Sequence, residues 1–505
     1  MTDTQRTRRP TEPDGFHSLS LTDETRATLD VVGTLPDWLS GVLLRNGPGA
    51  FEVGEASVDH WFDGLAMPTR FGLDGAADRV TFRNRFLRTD AFAAAREGEF
   101  TGGFATGETT LRERLWGMLV GEPYDNTNVI AERVGDDYLA FTETPRQVQF
   151  DPDTLATTGD VTYDGDVPSG QLTCAHARRD PDTGRLVTFD TSFGRRHTYE
   201  VYEIVSPTDR RHVASVETDQ PSYMHSFALT PNYVVFTEFP YVVEPLAFLK
   251  PGRQGPFVEN FRWEPDRGTR LRVVDRADGT VVAEATAEPC FGFHHANAYE
   301  DGDDLVVDVE TVPDAESVAT LSLDRLRAGE LDVLGGRIER FRIDRGGHRE
   351  APTVDRRRLY DGSALPTVSP ARWCRPHRYV YAQRTAQPVT QWPTGVVKLD
   401  TETGRVREFD DGADHFSEPI FVPRSGRRPG HGDGGRGSGA SSGHGDWGDT
   451  AEDDGVVLTV GLDTDASRSR LFVLDGADLA ELARVTLPLA LPFAFHGRFF
   501  PELTP

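Results

Sequence analysis

Apolar residues along most of this chain come in short runs, often every second position, with polar residues between them. Tyr138-Leu-Ala-Phe-Thr142, Arg185-Leu-Val-Thr-Phe189, Tyr233-Val-Val-Phe-Thr-Glu238, Arg270-Leu-Arg-Val-Val274, Arg378-Tyr-Val-Tyr-Ala382, Gly395-Val-Val-Lys-Leu399 and Val456-Val-Leu-Thr-Val460 are examples. They are rich in β-branched and aromatic residues, the composition of half-buried strands. Turn dipeptides punctuate them: Asp164-Gly165, Asp278-Gly279, Asp361-Gly362, Asp411-Gly412, Asp454-Gly455 and Asp475-Gly476. Helical spacing is scarce, with Asp90 to Glu97 and Leu111 to Val120 the best candidates. Many short strands over this length predict an all-β chain of closed architecture, and a propeller fits better than a sandwich. The repeat is too degenerate for blades to be counted from the pattern.

Two stretches depart from it. Residues 1–20 carry no apolar periodicity and read as a flexible arm. Residues 425–449 are rich in Gly, Ser and Asp and read as a disordered surface loop. Residues 21–505 otherwise read as a single domain, since all-β folds often exceed the usual domain size.

Charge narrows the function. Over 505 residues the net charge is −27, and Lys250 and Lys398 are the only lysines. Such an acidic chain repels phosphates, so a nucleic-acid partner is excluded. The same excess suits a cytoplasmic protein of a halophile, where salt screens the repulsion. The N-terminus lacks the apolar core of a secretory signal. No uncharged apolar run approaches the roughly twenty residues that span a bilayer. Cys174, Cys290 and Cys374 are too few and scattered for a disulfide framework or a Cys-type zinc site.

Histidines supply the candidate chemistry. Phe291-Gly-Phe-His294-His295-Ala-Asn297 precedes the strand-like run Leu305-Val-Val-Asp-Val-Glu310. In an extended segment adjacent side chains point to opposite faces, so only one of the two histidines can face a given centre. Thr173-Cys-Ala-His176, Tyr223-Met-His225-Ser-Phe and Phe493-Ala-Phe-His496-Gly set three more in apolar or small-residue surroundings. Any one alone reads better as an ordinary core or surface histidine. Together they form a candidate all-nitrogen site for iron, copper, zinc or nickel. Metal-bound imidazoles usually donate their other N–H to an acceptor, often a carboxylate. Glu143 in Phe-Thr-Glu-Thr and Glu418 in Phe416-Ser-Glu-Pro-Ile-Phe stand in apolar strand contexts and fit that role.

These stretches resemble the carotenoid cleavage oxygenases. The likeness runs through Leu44-Arg-Asn-Gly-Pro-Gly49, His60-Trp-Phe-Asp63-Gly64, Asn126-Thr127-Asn128-Val, Thr142-Glu143, Cys174-Ala-His176, Met224-His225-Ser-Phe, Phe293-His294-His295-Ala-Asn297, Ser417-Glu418-Pro-Ile-Phe and Phe495-His496-Gly497, in that order along nearly the whole chain. The resemblance implies a seven-bladed β-propeller capped by loops and short helices that form a hydrophobic tunnel. It implies Fe(II) held by His176, His225, His294 and His496, with His295 turned away. It implies that Glu143 orients His225, that Glu418 orients His496, and that Thr127 crowds an open metal position. The implied reaction joins O2 to a conjugated C=C of a carotenoid or apocarotenoid, β-carotene to retinal being one form, and yields two carbonyl products.

One position departs from the family pattern. A glutamate expected in a Glu-hydrophobic-Pro stretch is replaced by Ala364 in Ser363-Ala-Leu365-Pro366. His294 then loses its carboxylate unless a water, Ser363 or another acid takes its place. Stilbenoid-cleaving relatives carry a lysine where this chain has Thr142, which favours a carotenoid substrate. An isomerising or hydrolysing relative on the same iron and a non-catalytic carotenoid carrier are the alternatives. Leu111 to Val120 and Val242 to Phe261, with Leu246, Phe248 and Leu249 beside Lys250, are candidates for peripheral membrane contact. Ordinary core is the equal alternative for both.

Overall fold

The computed structural model describes residues 20–505 except 22, 55, 99–102, 104–105, 107–123, 165–168, 245–256, 329–334, 346–350, 388, 390–391, 413 and 425–450. The N-terminal arm up to residue 19, the Gly/Ser/Asp-rich loop, Leu111 to Val120, and Leu246, Phe248, Leu249 and Lys250 lie outside the described residues.

The described chain is nearly all β. Its α-helices are short, at Asp90–Arg96, Glu316–Thr320 and Leu323–Arg327. The first is capped at its N-terminus by Thr89, whose hydroxyl accepts from Phe92 N. Among the described residues, no helix is long and apolar enough to cross a membrane.

Strands follow one another as antiparallel meanders. A four-stranded sheet runs Ile130–Val134, Asp137–Phe141, Val148–Phe150, Thr157–Asp160. In the next, the short strands Leu172–Thr173 and Arg178–Arg179 both pair with Leu186–Ser192, followed by His197–Ser206 and Asp209–Thr218. A third runs Ala228–Leu229, Tyr233–Glu238, Thr269–Asp275, Val281–Ala287. A seven-stranded sheet then extends from His295–Asp301 to Val406–Phe409, and a six-stranded sheet centres on Gly455–Asp463. The remaining large sheet joins the two ends of the chain: His496–Phe500 pairs with Ser40–Asn46, Asn46 opposite His496.

Burial explains the sequence pattern. Inner strands are covered on both faces, as in Gly455–Asp463, every residue of which is buried. Outer strands alternate: in Asp209–Thr218, Ala214, Val216 and Thr218 are buried while Ser215 and Glu217 are exposed. The strand-like runs of the sequence fall on strands throughout. Asp361-Gly362 differs: it predicts a turn but lies inside the long strand Thr353–Thr367. Arg337 pairs with Asp361 and Gly336 with Ser363, so Gly362, at φ +83°, is the extra residue of a bulge.

Each sheet packs on the next. Leu139 and Phe141 meet Leu186 and Ile204, and Phe189, Val201 and Val216 meet Val234, Phe236 and Val274. Val235, Leu271 and Val273 meet Leu305, Val307 and Phe341. Tyr381 and Val396 meet Val457 and Phe472. Leu458, Val460 and Leu471 then meet Leu43, Phe71 and Phe82, and Val42 and Leu44 return to Ala131 and Ala140. The packing therefore closes into a circle.

Candidate metal centre

The four histidines expected from the sequence begin, or lie just before, short strands that are the first or last of their sheets. His496 opens His496–Phe500 and His294 immediately precedes His295–Asp301. His225 precedes Ala228–Leu229, and His176 sits between Leu172–Thr173 and Arg178–Arg179. The circle of sheets turns these edges toward one another. One ligand atom from each of the four histidines lies within 4.8 Å of every other. The ring centroids of His176 are 4.5 Å from His225, 5.2 Å from His294 and 4.2 Å from His496.

Cross-links between the histidine segments fix this approach. Arg178 donates from Nε to Phe227 O at 3.0 Å and from Nη2 to His295 O at 2.6 Å. Ser226 Oγ donates to Phe293 O at 2.6 Å, and Cys174 Sγ to His225 O at 3.3 Å. His295 points the other way, as alternation requires: its Nδ1 lies 2.7 Å from Ser226 Oγ and its Nε2 2.8 Å from Thr237 Oγ1.

Carboxylates stand behind three of the four rings. Nδ1 of His225 lies 2.5 Å from Glu143 Oε1, and Nδ1 of His496 lies 3.0 Å from Glu418 Oε1. Glu418 Oε2 also accepts from Gly497 N at 2.8 Å. The third carboxylate belongs to Glu310, whose Oε2 lies 3.0 Å from His294 Nδ1. The gap at Ala364 is therefore filled, and by neither Ser363 nor a residue of its strand. Glu310 ends the run Leu305–Glu310 that the sequence marks as a strand, but nothing in that alternation singles it out from a solvent-facing acid. Tyr223 was likewise missed: its hydroxyl donates to Glu143, 2.9 Å from Oε1 and 3.0 Å from Oε2.

With Nδ1 occupied on three rings, Nε2 faces the centre. His176 and His225 bring their Nε2 atoms within 2.9 Å, and His294 Nε2 is buried without a hydrogen-bond partner among the described residues. Metal–nitrogen bonds of about 2.1 Å place ligand atoms roughly 3–4 Å apart, so the set fits one ion. Electrostatics agree. Burial holds His176 and His294 well below the ordinary imidazole value, and the neighbouring histidines push the same way. Burial also lowers His496, with Glu418 opposing. Neutral imidazoles with lone pairs converging are the protonation state that binds a metal. Burial pushes Glu310 up to about 8, opposed by the Leu365 N–H that its carboxylate accepts. A cation at the centre would draw it back toward the ionised form.

Aromatic rings cover one flank. Phe62 stacks on His225 at 6.3 Å between centroids, and Phe293 meets the same ring edge-on at 5.4 Å. Trp61 and Phe495 extend this surface. The turn Trp61–Asp63 is held by His60, whose Nδ1 accepts from Phe62 N. A separate cavity is polar, with His176, His294 and His496 in its wall beside Arg178, Arg179 and Arg498. Thr127 is fully buried; its carbonyl accepts from Nδ2 of Asn46, the residue opposite His496.

The chain is thus a ring of antiparallel sheets closed around a four-histidine cluster of a kind that can hold a metal ion. Residues 19–501 match the family model described as retinal pigment epithelial membrane protein, and the chain belongs to this family of carotenoid and apocarotenoid oxygenases. It is 31% identical to carotenoid cleavage dioxygenase 8 homolog A of Oryza sativa subsp. japonica, covering 94% of this chain and 85% of that one. It is 30% identical to apocarotenoid-15,15'-oxygenase of Synechocystis, covering 93% and 92%. A solved structure of Synechocystis apocarotenoid oxygenase, a mutant, superposes with a TM-score of 0.81 at 27% identity over 98% of this chain and 100% of that one. A cobalt-substituted form of the Synechocystis enzyme gives 0.80 at 27% identity, over 97% and 98%.

Proposed function

We propose that the protein is a non-haem Fe(II) dioxygenase that cleaves a conjugated C=C of a carotenoid or apocarotenoid. The observation that carries this reading is the convergence of four imidazoles, three of them backed by carboxylates, with His294 Nε2 buried and without a hydrogen-bond partner among the described residues. His176, His225, His294 and His496 would hold the iron, which when bound supplies the redox chemistry with O2. In the overall reaction the two atoms of O2 become the oxygens of two carbonyl products, so no external reductant is consumed.

The chain's own residues do the rest. Glu143, Glu310 and Glu418 hold three imidazoles in the tautomer that keeps Nε2 free. Phe62, Phe293, Trp61 and Phe495 present an apolar surface suited to a polyene and exclude water from beside the rings. Thr127 is proposed to crowd an open metal position. The seven-stranded sheet folds over itself, with Ala296 and Ile338 packed on Val380, Ala382 and Val397, and we read it as two blades, giving seven in all.

Lys398 is tied to Asp453 at 2.7 Å and to Ala477 O at 2.8 Å, and Thr142 stands before Glu143, so no described lysine is offered to a phenolate. This favours a polyene over a stilbenoid. The test is aerobic incubation of Fe-loaded protein with β-carotene and a panel of apocarotenals under 18O2. Labelled aldehydes with wild type, absent with His294→Ala, support the reading. Isomerised or unlabelled products would replace it with the isomerase or hydrolase alternative, and binding without turnover would leave a carrier.

A further inference from the structure

We propose that Glu310 is the positioning residue for His294, and that this chain has moved the carboxylate from the strand Thr353–Thr367, where Ala364 stands, to the strand Asp304–Thr311. The inference rests on the metal-centre reading above.

Four observations carry it. First, the two residues are neighbours through the backbone as well as the side chain. Glu310 N donates to His294 O at 2.8 Å, and Glu310 Oε2 lies 3.0 Å from His294 Nδ1. Register holds the pair: Val309 is opposite His295, which places Glu310 beside His294 where the strand begins. Second, the same Oε2 accepts from Leu365 N at 3.1 Å. Leu365 follows Ala364 and has φ +49°, a left-handed conformation that a leucine rarely adopts. The backbone next to the missing side chain is thus turned toward the carboxylate that replaces it. Third, the neighbouring strand makes room. A Cβ on Gly336 would lie 3.1 Å from Glu310 Cγ and 2.7 Å from Thr311 O, so glycine there clears the path of the glutamate. Fourth, Glu310 is buried and its acceptor bonds go to His294 and Leu365. A buried acid is costly unless such bonds are made.

The physical role follows. An imidazole that donates from Nδ1 must keep its lone pair on Nε2, and the same bond stops the ring from flipping about its Cβ–Cγ axis. His294 Nε2 has no hydrogen-bond partner among the described residues. Without Glu310 the ring has nothing among the described side chains to choose its tautomer.

The test uses purified full-length wild type, Glu310→Ala, Glu310→Gln, Ala364→Glu and the double variant Glu310→Ala/Ala364→Glu. Co(II) and anaerobic Fe(II) affinities are measured by chelator competition, with the Co(II) visible spectrum as a geometric readout and circular dichroism as the folding check. Glu310→Ala is expected to weaken affinity roughly ten- to hundredfold and to alter the cobalt bands. Glu310→Gln, whose amide oxygen can still accept from Nδ1, is expected to lose less. The double variant is expected to regain most of the loss, because it restores a carboxylate from the family's position. A folded Glu310→Ala with wild-type affinity and spectrum overturns the proposal. So does a folded double variant that binds no better than Glu310→Ala. Should the double variant fail to fold, the contrast of Glu310→Gln with Glu310→Ala decides alone: equal losses overturn the proposal. Failure of the parent reading looks different: wild type itself would take up no more metal than His496→Ala.

Discussion

Tyr223 Oη donates to Glu143, 2.9 Å from one carboxylate oxygen and 3.0 Å from the other, while Glu143 Oε1 sits 2.5 Å from His225 Nδ1. The tyrosine therefore fixes the acid that fixes the imidazole. Tyr223 is itself buried, packed on Phe261 and Phe291. In Tyr223→Phe the packing stays and the hydroxyl goes. A net loss of about 1 kcal/mol in stability is expected, with a fall in Co(II) affinity smaller than that of Glu143→Gln. Thermal unfolding and chelator competition on the two variants check both halves.

Arg178 ties the segment of His176 to the carbonyls of Phe227 and His295. Its guanidinium is buried deeply enough to lower its pKa to about 10, with Arg498 adding to the effect. Replacing it by Met keeps much of the volume and strands two acceptors. Each stranded acceptor costs about 1–3 kcal/mol, so Arg178→Met should lower the unfolding midpoint in denaturant and reduce bound metal together. A variant that loses stability but keeps full metal content would show that the histidine segments hold their spacing without the clasp.

Gly336→Ala should act on the centre from a distance. The added methyl would sit 2.7 Å from Thr311 O and 3.1 Å from Glu310 Cγ. Overpacking of this kind typically costs about 1–3 kcal/mol. Relief requires the backbone at Thr311 and the adjoining Glu310 side chain to shift, which disturbs the Glu310–His294 pair, so metal affinity should fall as well. Wild-type cobalt spectra in the variant would show that the strand yields elsewhere.

Acid–base behaviour offers a test away from the metal. Asp414 is buried in the six-stranded sheet, and its Oδ1 accepts from Arg470 Nη1 at 2.8 Å while Oδ2 has no partner among the described residues. Burial, with Asp411 adding to it and Arg470 opposing, lifts its pKa to about 7 from the usual 3.8. A raised value means the folded state holds the proton more tightly than the unfolded one. The associated stability is complete below about pH 4 and is lost as pH climbs through about 7. Asp414→Asn cannot ionise. Its stability relative to wild type should rise between pH 4 and pH 8, measured by urea unfolding across that range. A flat difference would mean that Asp414 titrates normally.

Much of the fold was legible because strand alternation survives in single segments. Asp209–Thr218 shows it in its buried Ala214, Val216 and Thr218, whereas Tyr233–Glu238 and Gly395–Asp400, buried almost throughout, are marked by their β-branched and aromatic residues instead. Sheet-to-sheet packing left no local trace, because it joins residues from tens apart, as in the cluster of Leu139 and Leu186, to hundreds apart, as in that of Leu458 and Phe71. Among the site residues, the histidines stood out through motifs repeated in order. Glu310 did not, because its partner is set by strand pairing and its own neighbours, Val309 and Thr311, are those of any strand. Gly362 misled for a related reason: a positive φ serves a bulge as well as a turn.

The pairing of His496–Phe500 with Ser40–Asn46 carries a consequence for how the molecule matures. One of the four converging imidazoles, His496, belongs to this late strand, so the proposed cage would be incomplete until the early strand has waited for the late one and captured it. Loop closure across so much polymer is entropically uphill, and an ion that binds only the closed circle would pull that equilibrium forward by mass action. In this protein the cofactor would thus serve as a latch for assembly, and starvation for metal would show first as chains whose two ends have come apart.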